Sequence, residues 1–186
     1  MMRTVSEEYR LLEAARQFES QALAQIYDTY SPGLYRYAMR RLGDVQLAED
    51  CVAETFTRFL QTLRKRRGPR DHLQAYLYRA AHNWIVDQFR REKPDVELAD
   101  DLPSQTEDTE REAAGRIQQA RVRAAIRRLT PDQQQVIALK YLEGWENEDV
   151  ARALGKPVGA VKSLQHRALA ALQRLLMDEV DDEHTR

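Results

Sequence analysis

The sequence predicts an all-α protein made of two small helical domains joined by a flexible acidic linker. Apolar residues recur at three- and four-residue steps, the spacing of one face of an α-helix. With 7 glycines and 6 prolines in 186 residues, the chain has too few turn-formers for an all-β fold. Residues 93–114 lack periodicity and are rich in carboxylates, which predicts the linker. We therefore expect domains at 16–92 and 115–177, an N-terminal extension at 1–15 and an acidic tail at 178–186.

Two amphipathic patterns open the first domain. The first covers residues 26–38 and contains Ser31-Pro32, which is either a kink or an N-cap followed by proline. Gly43-Asp44 ends this element. The second pattern covers residues 45–60, where apolar side chains again recur at three- and four-residue steps. Two successive helices are predicted.

The third helix of the first domain is expected to start after an N-cap at Asp71 and to reach about Arg91. It interleaves rings with polar and charged side chains, namely Tyr76, Tyr78, Trp84 and Phe89 among Arg79, Asn83, Asp87, Arg90 and Arg91. Bases stack on aromatic rings while cations follow the phosphates, so this helix suits an unpaired nucleic-acid strand. The alternative is that most of the rings belong to the core, and we expect Tyr76 and Phe89 to be the two core rings.

The second domain starts with a helical pattern over residues 117–129. Thr130-Pro131-Asp132-Gln133 then predicts a helix start, because Thr caps, Pro suits the first position and Gln reaches back to the cap. This helix is expected to end at Gly144. Asn147 is expected to cap the helix that follows.

Residues 145–176 predict a helix-turn-helix, the most informative motif of the chain. Gly155 suits the left-handed conformation that ends a helix, and Pro157 fits the first turn of the next one. One face of that second helix carries Lys162, Ser163, His166 and Arg167. Such side chains hydrogen-bond to base edges and phosphates in a major groove. The alternative is a helical hairpin with a solvated basic face.

Charge and composition exclude several function classes. The net charge of −1 conceals a basic segment at 64–93 and an acidic one at 94–113, and a local basic patch is what phosphate contact requires. The single cysteine, Cys51, excludes a disulfide framework, fits a cytoplasmic chain and is expected to pack in the core. No apolar run approaches the length of a membrane span. The four histidines lack metal-ligand spacing and no phosphate loop is present, so we expect no enzyme, metal or cofactor.

Taken in order, these segments resemble an extracytoplasmic-function (group four) RNA polymerase sigma factor of the bacterial sigma family. LAEDCVAETFTRFLQ (47–61) is similar to region 2.2, LQAYLYRAAHNWIVDQFRRE (73–92) to regions 2.3 and 2.4, and the segment from LTPDQQQ to QHRA (129–168) to region 4. The resemblance implies a subunit that directs core polymerase to promoters and promotes DNA melting. Residues 16–92 would form the region 2 domain and 115–177 the region 4 domain.

The resemblance also implies roles for individual residues. Core polymerase would be bound by Asp50, Glu54 and Phe56. The loop from Arg64 to His72 matches one that captures a flipped minus-ten base, and minus-ten binding and melting would use Arg67, Arg70, His72, Arg79, Asn83, Trp84, Asp87, Arg90 and Arg91. The minus-thirty-five element would be bound by Lys156, Lys162, Ser163, His166 and Arg167. The implied partners are the β′ clamp coiled coil and β flap of core polymerase, promoter DNA and an anti-sigma factor, with no membrane insertion.

Two positions depart from the family pattern. Ala53 stands where the family often has Gln, and Leu164-Gln165 stands where it often has a basic residue followed by an apolar one. We expect the second departure to weaken phosphate contact or to shift the preferred minus-thirty-five sequence. Two other function classes stay open on the residues alone: a helix-turn-helix regulator that binds DNA without core polymerase, and an all-helical interaction protein.

Overall fold

The computed structural model describes residues 5–91 and 110–184, which form eight α-helices and contain no strand. The helices are α1 (Val5–Arg16), α2 (Ser20–Leu42), α3 (Val45–Arg64), α4 (Leu73–Arg91), α5 (Glu110–Arg127), α6 (Pro131–Ile137), α7 (Asn147–Leu154) and α8 (Val158–His184). The predicted all-α fold is confirmed. Residues 93–109 of the expected linker lie outside the described residues, whereas 110–114 are helical. Most of the expected acidic tail is also helical, since α8 reaches His184.

Helices α1 to α4 pack around a shared apolar core in the first half of the chain. Its largest fully buried side chains are Leu12, Ile26, Leu34, Tyr37, Phe59, Leu73, Leu77 and Ile85. Burying side chains of this size is the main favourable term in folding such a domain. The three amphipathic patterns of the first domain therefore form helices, and α1 adds a fourth in the expected N-terminal extension.

Pro32 lies inside α2, which runs without interruption from Ser20 to Leu42. The unbroken helix excludes the alternative in which Ser31-Pro32 starts a new helix. Gly33, the next residue, allows a close approach, because a Cβ atom there would lie 2.8 Å from the Tyr78 hydroxyl oxygen. This contact between α2 and α4 could not be predicted from the sequence pattern.

The predicted N-cap at Asp71 is wrong, because α4 begins at Leu73. His72 has a φ of 50°, which turns the chain sharply just before the helix. The backbone N–H of Leu73 donates to Glu8 Oε1 of α1 at 2.7 Å. A side chain from a distant helix thus satisfies an amide that a local cap would otherwise serve.

The second half of the chain begins α6 with the predicted capping box. Thr130 Oγ1 accepts from the Gln133 backbone N–H, and Gln133 Oε1 accepts from the Thr130 N–H at 3.0 Å. The α-helix ends at Ile137 and continues as a π-helical turn over Ala138–Leu142, so the helical run ends just before the expected Gly144, whose φ is 71°. Helices α6, α7 and α8 then pack on a core that includes Val136, Leu139 and Val150.

The helix-turn-helix forms with one correction. Gly155 has a φ of 65° and ends α7 in the left-handed conformation, as predicted. Asn147, however, does not cap α7, since Glu146 occupies the N-cap position without a side-chain bond. The Asn147 side chain instead accepts a hydrogen bond from Gln165 Nε2 at 2.6 Å. Prediction of this cap failed because an internal partner on α8 takes up the Asn147 side chain.

We expect Thr130→Ala to lower the free energy of unfolding by about 1 kcal/mol, because the variant loses the hydroxyl oxygen that accepts from the Gln133 backbone N–H. Denaturant unfolding followed by circular dichroism measures the change. Thr57→Ala is the matched control, since Thr57 is exposed in the middle of α3. Equal stability of the Thr130 variant and the wild type would show that the Thr130 side chain contributes nothing to this cap.

Candidate nucleic-acid interface

The N-terminal half of α8 presents a polar face to solvent. Lys162, Ser163, His166 and Arg167 are all exposed, as the sequence predicts. The opposite face is buried through Val161, Leu164 and Ala168, which anchor the helix to the domain core. Four side chains able to donate hydrogen bonds therefore stand on one rigid helix face. Their placement suits contact with base edges and phosphates in a groove.

Leu164 and Gln165, the two residues that depart from the family pattern, have structural partners. Leu164 is 8% exposed and belongs to the core. Gln165 is half-buried and donates to Asn147 Oδ1 in the first turn of α7. Where the family often carries a basic side chain, this chain carries a core residue, and Gln165 links the two helices of the motif.

Lys156 lies in the turn of the motif, apart from the exposed face of α8. Its Nζ atom is 3.0 Å from Asp132 Oδ2, near the start of α6. The ammonium group therefore has a carboxylate partner, and the pair is partly exposed. Such a pair contributes little to stability, so its exchange for a phosphate contact costs little.

The residues that the resemblance assigns to the minus-ten element divide into exposed and buried groups. Those exposed to solvent are Arg67, Arg70, His72, Arg79, Asn83, Arg90 and Arg91. Asp87 is half-buried and lies 3.9 Å from Arg90 Nη1. Trp84 is 7% exposed and lies in the core. The indole is therefore unavailable as a stacking surface in this arrangement of the chain.

The assignment of the core rings on α4 is wrong. Tyr78 and Trp84 are the two buried rings, whereas Tyr76 and Phe89 are only partly buried against the core. Tyr78 packs between Tyr37 of α2, at 5.2 Å between ring centroids, and Trp145, at 4.8 Å. The partner ring at Trp145 comes from the second half of the chain, so the periodicity of α4 alone could not identify it.

Arg79 connects α4 to the helix-turn-helix. Its Nε atom donates to the carbonyl of Ala153, and its Nη2 atom donates to the carbonyl of Arg152 at 2.5 Å. These carbonyls belong to the last turn of α7, where a cation is favourable because the helix dipole ends there. The guanidinium also abuts the turn, since a Cβ at Gly155 would lie 3.3 Å from Nη2. A residue assigned to DNA is thus engaged by the other domain.

A buried polar cluster forms a second link between the two domains. Arg41 is 3% exposed and donates from Nη2 to Gln134 Oε1 of α6 at 2.5 Å. Its Nη1 atom lies 3.2 Å from both the Tyr37 hydroxyl and His82 Nδ1. Burial, and next the Arg41 charge, lower the pKa of His82 to about 3. The imidazole is therefore neutral at pH 7, and in the tautomer that carries its proton on Nε2 the Nδ1 atom accepts from Arg41.

Arg40 adds a third link. Its Nη1 atom donates to the Leu142 carbonyl and to Glu143 Oε1, both at 2.6 Å. Glu143 also lies beside the Tyr78 hydroxyl, whose pKa is raised mainly by burial and next by the Glu143 charge. Sequence reasoning missed Arg40, Arg41 and Gln134, because each is a polar residue whose partner is distant in the chain.

The three residues assigned to core polymerase lie on α3 with different exposures. Asp50 is exposed, and Glu54 is half-buried and pairs with Arg58 Nε at 2.7 Å. Phe56 is only 8% exposed and packs against Tyr27, with 4.8 Å between ring centroids. Tyr27 is itself 49% exposed, so it is the aromatic side chain that this surface offers to a partner. Tyr27 belongs to the apolar pattern of residues 26–38, which by itself would predict a core position.

The loop between α3 and α4 is held in an unusual backbone conformation. Arg66, Gly68 and His72 have φ values of 53°, 117° and 50°. Only glycine adopts such values without cost, so two of the three positions are strained. A cavity of about 740 Å³ separates part of the loop from α1, and its lining residues are Tyr9, Glu13, Arg16, Gln17, Leu63, Arg66 and Arg70.

Other chemistries find few groups in the described residues. No set of three His, Cys, Asp or Glu side chains there is arranged to hold a metal ion. Cys51 is fully buried, as predicted, and burial raises the pKa of its thiol to about 12, which makes it a poor nucleophile. None of the described helices combines the length and apolar character that crossing a bilayer requires.

Comparison with known proteins agrees with this arrangement. Residues 26–94 match the family model of Sigma-70 region 2, and residues 119–172 match that of Sigma-70, region 4. The chain is 34% identical over 176 residues to the ECF RNA polymerase sigma factor BldN of Streptomyces coelicolor, covering 91% of this chain and 66% of BldN. It is 30% identical over 162 residues to the ECF RNA polymerase sigma factor SigL of Mycobacterium tuberculosis, covering 86% of this chain and 92% of SigL.

Solved structures share the fold. CnrH, in complex with the cytosolic domain of CnrY, superposes with a TM-score of 0.67 at 24% identity, covering 92% of this chain and 97% of that one. The sigma factor RpoE of Bartonella quintana, in complex with the anti-sigma factor NepR, gives a TM-score of 0.55 at 24% identity, covering 83% and 96%. Both family models and the identity to SigL confirm the resemblance seen in the sequence. The chain belongs to the extracytoplasmic-function RNA polymerase sigma factors, the subunits that direct RNA polymerase to promoters.

Proposed function

We propose that this sigma factor divides promoter recognition between its two halves. The domain at 16–92 binds core polymerase and the minus-ten element, and the domain at 115–177 reads the minus-thirty-five element. The observation that carries the proposal is the polar face of α8, whose four donor side chains are exposed while its opposite face is buried. Like other proteins of its family, the chain would act without catalysing a reaction.

Upstream recognition rests on Lys162, Ser163, His166 and Arg167. Good bidentate contacts to base edges contribute about 1–3 kcal/mol of discrimination each, which is enough to select a short element. Lys156 has a supporting role, because it must exchange Asp132 for a phosphate. Gln165 contributes through Asn147, since this hydrogen bond helps to set the angle between α7 and α8.

Downstream recognition rests on the exposed basic and polar side chains of the α3–α4 loop and of α4. Arg67, Arg70 and His72 lie on the loop, and Asn83, Arg90 and Arg91 lie along the helix. Arg79 joins this set only after it leaves the carbonyls at the end of α7. Trp84 and Asp87 support the helix, because Trp84 is buried and Asp87 lies close to Arg90.

Core polymerase would bind the surface of α2 and α3 that carries Asp50, Glu54, Phe56 and Tyr27, through its β′ clamp coiled coil. The carboxylates complement a basic partner, while Tyr27 supplies exposed aromatic area. The β flap would bind the region 4 domain. An anti-sigma factor is a further partner, a proposal supported by the complexes of CnrH and RpoE. These interactions would occur in the cytoplasm, and at the nucleoid when the protein is bound to polymerase.

Run-off transcription with purified core polymerase tests the proposal. Start sites mapped after overexpression supply the promoter template. We expect specific transcripts only when core polymerase and this chain are combined. A regulator that acts without core binding would give no transcript unless another sigma factor were added. An interaction protein would give no transcript under either condition.

We expect Arg167→Ala to weaken holoenzyme binding to promoter DNA by about 1–3 kcal/mol, and only when the minus-thirty-five element is intact. Arg174→Ala is the matched control, because both side chains lie on α8 and both donate Nε to the carbonyl four residues earlier at 3.4 Å. Electrophoretic mobility shifts on templates with intact and scrambled upstream elements measure the difference. The same loss on both templates would remove Arg167 from sequence recognition.

A further inference from the structure

Helix α1 lies outside the matched family regions, which begin at residue 26. It nevertheless contacts the α3–α4 loop through two side chains, one near the start of α1 and one at its end. Arg16 Nη2 donates to the Pro69 carbonyl at 3.0 Å and to the Gly68 carbonyl at 3.4 Å. Glu8 Oε1 accepts from the Leu73 N–H at 2.7 Å, where the loop enters α4. One short helix thus supplies an anionic group and a cationic group that hold the backbone of the loop.

The loop needs such support because its conformation is costly. Arg66 and His72 adopt positive φ values that residues other than glycine rarely take. Strained backbone persists only where its surroundings determine it. The carbonyls of Gly68 and Pro69 lie between the two strained positions, and Leu73 follows directly after the second. Arg16 and Glu8 therefore act at the places where the loop would otherwise relax.

The two side chains suit this task. Arg16 is half-buried within α1, and its Nε atom lies 3.5 Å from Glu13 Oε1, an ion pair without a hydrogen bond at Nε. A planar guanidinium with fixed donors can serve two neighbouring carbonyls at once, which a lysine ammonium does less well. Glu8 is also half-buried, so its bond to the Leu73 N–H is partly shielded from competition by water.

We propose that α1 is a clamp that fixes the α3–α4 loop in the conformation that binds the unpaired minus-ten strand, with Glu8 and Arg16 as positioning residues. The inference rests on the proposed minus-ten function of this loop. Neither residue needs to touch DNA. Each acts through the backbone that presents Arg66, Arg67 and Arg70.

The loop itself is monitored by limited trypsin digestion of the full-length chain, because it contains several basic cleavage sites. Cleavage of a transiently opened segment follows the population of its open form. We expect Arg16→Ala to speed cleavage within residues 65–70 by about tenfold, the effect of a loss of about 1.4 kcal/mol. Arg10→Ala is the matched control, because Arg10 is exposed on the same helix. Its replacement, like that of Arg16, removes one positive charge and one trypsin site.

The functional arm uses holoenzyme and a fluorescent single-stranded oligonucleotide that carries the minus-ten element of a mapped promoter. We expect Arg16→Ala and Glu8→Ala to lower its affinity by about tenfold. Glu8→Gln should recover most of the affinity, because the amide oxygen can still accept from Leu73. Core binding, measured by fluorescence anisotropy, should be unchanged, and circular dichroism confirms that each variant is folded.

Two results would overturn the clamp. One is unchanged loop cleavage in Arg16→Ala. The other is faster cleavage with oligonucleotide affinity at the wild-type value, while Arg67→Ala lowers that affinity. If Arg67→Ala also has no effect, the proposed minus-ten role of the loop fails, and the cleavage rate still decides whether α1 holds it. The two hypotheses are therefore tested separately.

Discussion

Acidification from pH 7.5 to pH 5 is expected to weaken the packing between the two halves of the protein. The native state holds His82 neutral, with a pKa lowered to about 3 from 6.5, because the ring is buried and lies beside Arg41. The unfolded chain binds this proton below about pH 6.5. The free energy of unfolding is therefore unaffected by His82 above pH 6.5. As the pH falls from 6.5 towards 3, this free energy decreases by about 1.4 kcal/mol per pH unit.

The loss should be about 2 kcal/mol at pH 5, one and a half units below the unfolded pKa. His82 belongs to the cluster that joins Arg41 to Gln134, so its protonation opposes the buried guanidinium. Two observables should respond. The free energy of unfolding should fall, and the radius of gyration from small-angle scattering should rise.

His82→Gln separates this effect from the titration of carboxylates in the same range. Glutamine keeps a hydrogen-bond acceptor for Arg41 but does not titrate. His166→Gln is the matched control, because His166 is exposed on α8. We expect the pH dependence between 6.5 and 5 to flatten only in the His82 variant. Identical slopes for the wild type and His82→Gln would contradict the assigned cause.

Trp84→Ala should lower the free energy of unfolding by about 3–5 kcal/mol. The indole is 7% exposed within a core that also contains Leu77, Ala81 and Ile85, so its removal leaves a large cavity. A domain of this size is stable by about 5–15 kcal/mol, which makes the loss a large fraction of the total. Denaturant unfolding followed by circular dichroism measures it.

This result changes how a transcription defect of Trp84→Ala is interpreted. A defect in open-complex formation would report the folded fraction as much as any contact with DNA. Asn83→Ala is the matched control, because Asn83 precedes Trp84 on α4 and is exposed. We expect Asn83→Ala to keep wild-type stability while lowering minus-ten binding. A stable, fully folded Trp84→Ala protein would refute the core assignment.

Periodicity and capping rules were sufficient for the helices but not for their contacts. The box at Thr130 and the left-handed Gly155 follow from local chemistry, and both were predicted. Asp71 and Asn147 were wrong as caps, because Glu8 and Gln165 lie far away in sequence and changed which group each amide or side chain bonds. Long-range partners of this kind leave no mark on spacing.

The candidate site shows the same division. Exposure of the polar face of α8 could be predicted, since the apolar residues of the same helix define the opposite face. The rings of α4 could not be ranked, because Tyr78 is buried partly by Trp145 from the other domain. Arg79 and Arg41 are cations of the kind that contacts DNA phosphates. Only the tertiary structure shows that Arg79 donates to backbone carbonyls of α7 and that Arg41 donates to Gln134.

The π-helical turn at Ala138–Leu142 sets the direction in which the chain leaves this helix. Each such turn contains about one residue more than an α-turn, so it rotates the following side chains about the helix axis. The Glu143 N–H bonds the Ala138 carbonyl, five residues back. This phase directs Glu143 towards Arg40 and Trp145 towards Tyr78. Deleting exposed Tyr141 would restore a regular α-helix, yet it would turn the C-cap residue Glu143 away from Arg40 by about 100°. Length at this point therefore carries as much information as residue identity.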